Sequence, residues 1–169
     1  MTLNGSGAIT GLSAGGLPDA TVQQADLAAG VAGTGPAFSA YASSNQSVSS
    51  ATSTKVIFDV ETFDTNSNFA SNRFTPTVAG YYQFTAGVSS LTASTTSPWF
   101  LFLSKNGSQT QVSGYSYPLV TGVFQISGLL YLNGSTDYAE IYVYQGGMAQ
   151  TIFGRSDQTY FQGFLARAA

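Results

Sequence analysis

The first 35 residues contain no aromatic side chain, and the rest of the chain carries all 12 Phe, 10 Tyr and the single Trp. A core is built from large apolar side chains, so residues 1–35 cannot form one alone and residues 36–169 can. The break falls at Gly35-Pro36. The Gly- and Ala-rich first part reads as a stalk, a linker or a swapped arm. Within it, Pro18 and Asp19 mark a turn, Thr21-Val22-Gln23-Gln24 reads as a capping box and Gly30 as a terminator. One short helix is the expectation there, with a flexible linker as the alternative. About ten residues is too few for an isolated helix, so it would need partners.

Charge is scarce. Only 8% of residues are charged, against about 25% in typical soluble domains. Ser, Thr, Asn, Gln and Gly must therefore carry the surface. The absence of His and Cys excludes a Ser-His-Asp triad, a Cys nucleophile, a His/Cys zinc site and disulfides. Five Lys/Arg at a net charge of −3 make a nucleic-acid surface implausible. No apolar run reaches the roughly 18 residues of a membrane helix, so no membrane insertion is expected. The polar start Met1–Gly7 lacks a basic head, and no signal peptide is expected.

The body reads as strands: Pro36–Tyr41, Lys55–Val60, Tyr81–Val88, Trp99–Lys105, Gln111–Tyr117, Val123–Leu132, Tyr138–Gln145 and Thr159–Ala166. Asn106-Gly107, Asn133-Gly134 and Gly146-Gly147 are turn signals between them. Short strands at this spacing, with no long helical period, indicate an antiparallel sandwich.

The run Phe74-Thr75-Pro76-Thr77-Val78-Ala79-Gly80-Tyr81-Tyr82-Gln83-Phe84 resembles the signature of the C1q-like globular head, of the C1q/tumour-necrosis-factor superfamily. Phe58, Asp64 and Phe69 match its earlier positions. The Phe69–Phe74 interval is about two residues shorter than in the family pattern, and Ala86 stands where an aromatic is customary. Leu103-Ser104-Lys105-Asn106-Gly107, Leu130–Gly134 and Tyr160–Leu165 look like three further family elements in the expected order. The resemblance covers residues 36–169. It implies an all-β jelly-roll sandwich of roughly ten strands that assembles as a homotrimer. Gly7–Asp19 and Ala25–Val31 look like linkers of bacteriophage tail fibres.

Alternation assigns faces. Tyr82, Phe84, Ala86 and Val88 form a core face, and so do Phe124, Ile126, Gly128, Leu130 and Leu132, and Phe161, Gly163 and Leu165. The opposite faces also carry apolar residues, whereas a lone sandwich needs only one apolar face per strand. Tyr81, Gln83, Val123, Leu129, Tyr131, Tyr160 and Phe164 are therefore the candidate trimer contacts. Cover by a loop or by the N-terminal arm is the alternative. In Tyr138–Gln145, the residues Tyr138, Glu140, Tyr142 and Tyr144 face away from the core, beside Phe100 and Phe102. Trp99, Phe100, Tyr115, Tyr117, Tyr142 and Tyr144, with the flanking loop Thr92–Pro98, are the candidate ligand contacts. Aromatic platforms stack on sugar rings and anchor protein interfaces, although cross-strand aromatic pairs also simply stabilise sheets.

Asp59, Glu61 and Asp64 form one acidic cluster and Asp137 with Glu140 a second. Neither comes with the cleft that a two-carboxylate glycosidase needs, so no enzyme is expected. No D-x-D-x-D-G loop is present, and a solvated charged face is the reading; calcium, which some heads of the family bind, stays open, and no other cofactor is expected. The resemblances imply a trimeric binding module at the distal end of a virion fibre, outside cells, contacting host polysaccharide or protein. It would be joined to the remainder of a fibre if this chain is a fragment. The competing reading is a bacterial cell-surface C1q-like protein serving only trimerisation and display.

Overall fold

The computed structural model describes the backbone of Thr2–Leu3 and Ile9–Thr10 and residues 35–91, 98–114 and 122–169. Its strands are β1 (Thr2–Leu3), β2 (Ile9–Thr10), β3 (Ala37–Tyr41), β4 (Gln46–Val48), β5 (Ser53–Lys55), β6 (Val60–Asp64), β7 (Phe69–Ala70), β8 (Arg73–Phe74), β9 (Ala79–Ser89), β10 (Trp99–Lys105), β11 (Ser108–Gly114), β12 (Val123–Asn133), β13 (Ala139–Gln145), β14 (Gln150–Ile152) and β15 (Tyr160–Ala168). No helix occurs among the described residues. The expected helix near Thr21–Gly30 lies outside them.

Two sheets form a sandwich. One is five-stranded, in the order β12-β9-β15-β3-β6. The other is six-stranded, in the order β11-β10-β13-β8-β7, with β5 also paired to β13. The long strands β9, β12 and β15 place alternate apolar residues inward, as their period-two pattern demands. Phe38 stacks on Phe74 at 4.5 Å and on Phe69 at 5.0 Å, and meets Phe161 edge-on at 4.9 Å. These rings join Tyr82, Phe84, Leu101, Leu103, Leu132 and Ile141 in one core. Tyr82 donates its hydroxyl to the Val78 carbonyl at 2.7 Å, and burial pushes its pKa up to about 12.

Two expected strands need correction. Lys55–Val60 is not one strand. Its start belongs to β5 and its end to β6, and these lie in different sheets. Val56 and Phe58 are buried while Ile57 is exposed, so the alternation persists through the crossing. The backbone bonds there go elsewhere: Ile57 N–H donates to Gln46 Oε1 and Phe58 N–H to Asn72 Oδ1. Strand β11 begins at Ser108, earlier than the expected Gln111, directly after a two-residue turn. Asn106 and Gly107 hold that turn with φ of 53° and 76°, the left-handed pair such a hairpin requires.

The head has two distinct ends. Pro36 accepts a hydrogen bond from Leu165 N–H, and Ala169 N–H donates to Ala79 O, so both chain termini of the sandwich meet at one end. That end also carries the turn at Asn106-Gly107 and the connection from Asn133 to Tyr138. The opposite end carries residues 42–45, 146–149 and 153–159.

Candidate interaction surfaces

The register of β12, β9 and β15 lines up the outward face of the five-stranded sheet in rows. Leu129, Gln83 and Phe164 form one row, and Tyr131, Tyr81 and Arg167 the next towards the chain termini. Towards the other end follow Ser127, Thr85 and Gln162, then Gln125, Gly87 and Tyr160. Across these four rows the three strands are apolar near the termini and polar beyond, with Val123 exposed at the far end of β12. Leu129 is 50% exposed and Phe164 52%, with Tyr81, Tyr131 and Val123 exposed as well. Gln83 and Tyr160 are half-buried. The structure brings all seven expected contacts onto this one face.

Polar groups in the band are tied to one another. Gln83 Nε2 donates to Ser127 Oγ at 2.8 Å, and Gln125 Nε2 to the Tyr160 hydroxyl at 2.9 Å. Tyr81 and Tyr131 pack with ring centroids 5.5 Å apart. These two tyrosines, Leu129 and residues 166–169 line a cleft of about 530 Å³. Sequence reasoning missed Phe63, which is exposed on the same face and pairs across from Ser39 in β3. The misplaced strand end at Val60 hid it.

The outward face of the six-stranded sheet carries the aromatic patch. Phe100 stacks with Phe102 at 6.2 Å and packs against Tyr144 at the same distance. Phe100, Tyr142 and Tyr144 are half-buried. Trp99 does not join them. It is 1% exposed, faces inward with Leu101 and Leu103, and stacks on Phe124 at 5.9 Å. The period-two pattern of β10 forces this, because its neighbours on the same face are core residues. Tyr115, Tyr117 and residues 92–97 lie outside the described residues.

Glu140 also departs from expectation. It points outward yet is 1% exposed. Lys55 Nζ contacts its Oε1 at 2.6 Å and Arg73 Nη2 contacts the same oxygen at 3.0 Å. The Tyr142 hydroxyl donates to Oε2 at 3.3 Å. Burial, and then the Glu140 charge, raise the Tyr142 pKa. No sequence spacing reveals this cluster, since Lys55 and Glu140 are 85 residues apart.

The other acids have separate partners. Both Asp59 oxygens accept bonds from Ser43, at 2.6 Å each, and these lower its pKa. Asp64 accepts from the amides of Asn66 and Phe69. Among the described residues, no group of three or more His, Cys, Asp or Glu is placed to hold a metal ion. No helix among them is long and apolar enough to cross a membrane.

No protein-family model and no curated protein matches this sequence. Solved structures do match. The globular domain of zebrafish complement 1qA is similar over 79% of this chain and 99% of its own, at 21% identity and a TM-score of 0.56. Murine APRIL is similar over 77% of this chain and 98% of its own, at 10% identity and a TM-score of 0.59. The PRD1 vertex protein P5 is similar over 77% of this chain and 96% of its own, at 20% identity and a TM-score of 0.57.

The fold is the C1q/TNF-like jelly roll. Within it, the signature residues serve packing. Phe74, Tyr82 and Phe84 fill the core, and a side chain at Gly80 would meet the Arg167 carbonyl at 2.5 Å. Asn106-Gly107 makes the β10–β11 turn. In this jelly roll the surface chemistry resides elsewhere, on the two outward faces.

Proposed function

We propose that the chain is a trimeric binding head that attaches a phage fibre to the surface of its host. The observation that carries the assembly is the outward face of the five-stranded sheet. Leu129, Phe164, Tyr81 and Tyr131 are exposed side by side there. Clustered apolar exposure of this kind marks a contact surface. Three copies related by a threefold axis cover it and leave no open end. A stable assembly of this sort buries more than about 2,000 Å² in total.

The likeness to complement 1qA and to APRIL in fold supports this reading, and the likeness to a vertex protein supports a place on a virion. The second outward face, with Phe100, Phe102, Tyr142 and Tyr144, remains free in such a trimer and supplies the surface for the host. Light scattering on the purified protein, combined with adsorption of labelled protein to candidate host cells, tests both halves. A stable monomer at micromolar concentration rejects the assembly. A trimer that adsorbs to no cell type rejects the attachment role.

A further inference from the structure

Two of the chain's five cationic side chains converge on one carboxylate, that of Glu140. Lys105 and Arg155, by contrast, each hold a single Asp, at 2.8 Å and 2.7 Å. The Lys55–Arg73–Glu140 cluster therefore carries surplus positive charge in a chain of net charge −3. One cation suffices to pair a buried carboxylate, and bringing a second costs further desolvation.

The cluster is layered. Glu140 lies beneath at 1% exposure, and Arg73 lies above at 39%. The Arg73 guanidinium rests over the Tyr138 ring at 4.1 Å, and Lys55 Nζ is fixed from the side by the Ser71 carbonyl at 2.8 Å. Glu140 thus holds two cationic heads at a surface flanked by the rings of Tyr138 and Tyr142. The layer beneath is closed: Arg73 Nε and Ser104 Oγ are buried, and Ser104 lies directly across from Glu140 in the sheet register.

We infer that this cluster binds the carboxylate of an acidic sugar, a uronic or sialic acid, in a host surface polysaccharide. The inference rests on the attachment reading above and gives it a substrate class. With Nε buried and one Nη2 hydrogen on Glu140, the Nη1/Nη2 edge of the Arg73 guanidinium is the one left to take a carboxylate through two parallel hydrogen bonds. The half-buried Tyr142 ring beside it offers apolar surface to the C–H face of a pyranose. The neighbouring patch of Phe100, Phe102 and Tyr144 extends that platform along the sheet for further sugar units.

The test uses the intact protein and ligand-observed NMR. Glucuronate, galacturonate and N-acetylneuraminate are compared with glucose, galactose and N-acetylglucosamine, and with glycerol phosphate. The acids are expected to bind at least about tenfold more tightly than their neutral counterparts, and Arg73→Gln to remove about that factor. Because Arg73→Gln takes a partner from a buried carboxylate, the double variant Arg73→Gln/Glu140→Gln is measured beside it, with thermal melts checking the fold. Equal binding of neutral and acidic sugars overturns the inference, as does undiminished acid binding in a folded Arg73→Gln protein. A preference for glycerol phosphate over every carboxylate also overturns it. If neither variant folds, the wild-type comparison of acidic with neutral sugars decides. Adsorption to cells separates the two readings. Adsorption that persists without any acid binding sinks the sugar class alone, whereas acid binding by a protein that adsorbs to no cell sinks attachment and leaves the site.

Discussion

Asp137 fastens the end of the sandwich where the termini meet. It accepts Asn106 Nδ2 at 2.7 Å and Asn133 N–H at 3.1 Å, and pairs with Lys105. The bonds from Lys105 and then Asn106 hold its pKa below the ordinary aspartate range. A lowered folded-state pKa stabilises at pH values above the unfolded value of about 3.9. That contribution is lost as pH falls through the depressed value. Urea titrations across pH 2–7 should show an acid limb that Asp137→Asn flattens, with a loss of about 1–2 kcal/mol at neutral pH. Three residues upstream in the same connection, Gly134 has φ of 72°, and a Cβ there would sit 2.4 Å from Ala79 N. Gly134→Ala should lower stability by about 1–3 kcal/mol, read as a drop in thermal midpoint. Asn133-Gly134 is legible as a turn in the sequence. The carboxylate that ties it to Asn106 is not, because their meeting is made by the fold.

The long elements were the legible ones. Strands β9, β12 and β15 alternate cleanly, so both their inward core and their apolar outward face could be read before any pairing was known. Strands β4, β7, β8 and β14 have only two or three residues each, too few to show a period. The segment after β5 misleads for a physical reason. Burial alternates through Val56, Ile57 and Phe58, while the Val56 amide still bonds to Ile141 of β13 and the next two amides turn to the side chains of Gln46 and Asn72. Strand β13 is legible in extent and in facing, yet the sequence makes Glu140 a solvated charge where the structure buries it. Its cations come from β5 and β8, which the sequence did not place beside it. The aromatic side of β13 carries its own prediction. Tyr142→Ser together with Tyr144→Ser should reduce adsorption to host cells about tenfold or more, as expected on losing anchors of about 1–3 kcal/mol each. Unchanged adsorption by a folded double variant removes this face from host contact.

At the scale of the molecule, the proposed assembly rests on a small number of exposed side chains. Leu129→Asp would set a carboxylate from every copy against the neighbouring subunit, and light scattering should then register monomers that keep their β circular dichroism. Deleting residues 1–35 should leave the head folded and trimeric, since the described core is built from Phe38 onward and residues 1–35 hold no aromatic side chain. An insoluble or monomeric product would make the deleted segment part of the assembly. The meeting of the termini at one end also has a mechanical meaning. Strand β3 enters there and runs for five residues between β15 and β6, antiparallel to both. A pull on residue 35, opposed by contact elsewhere on the head, draws β3 along its own axis. The ladders on both its sides then bear the load together, in shear, and do not open one bond at a time like a zip. A head tethered in this way resists a pull with the same hydrogen bonds that join β3 to its sheet.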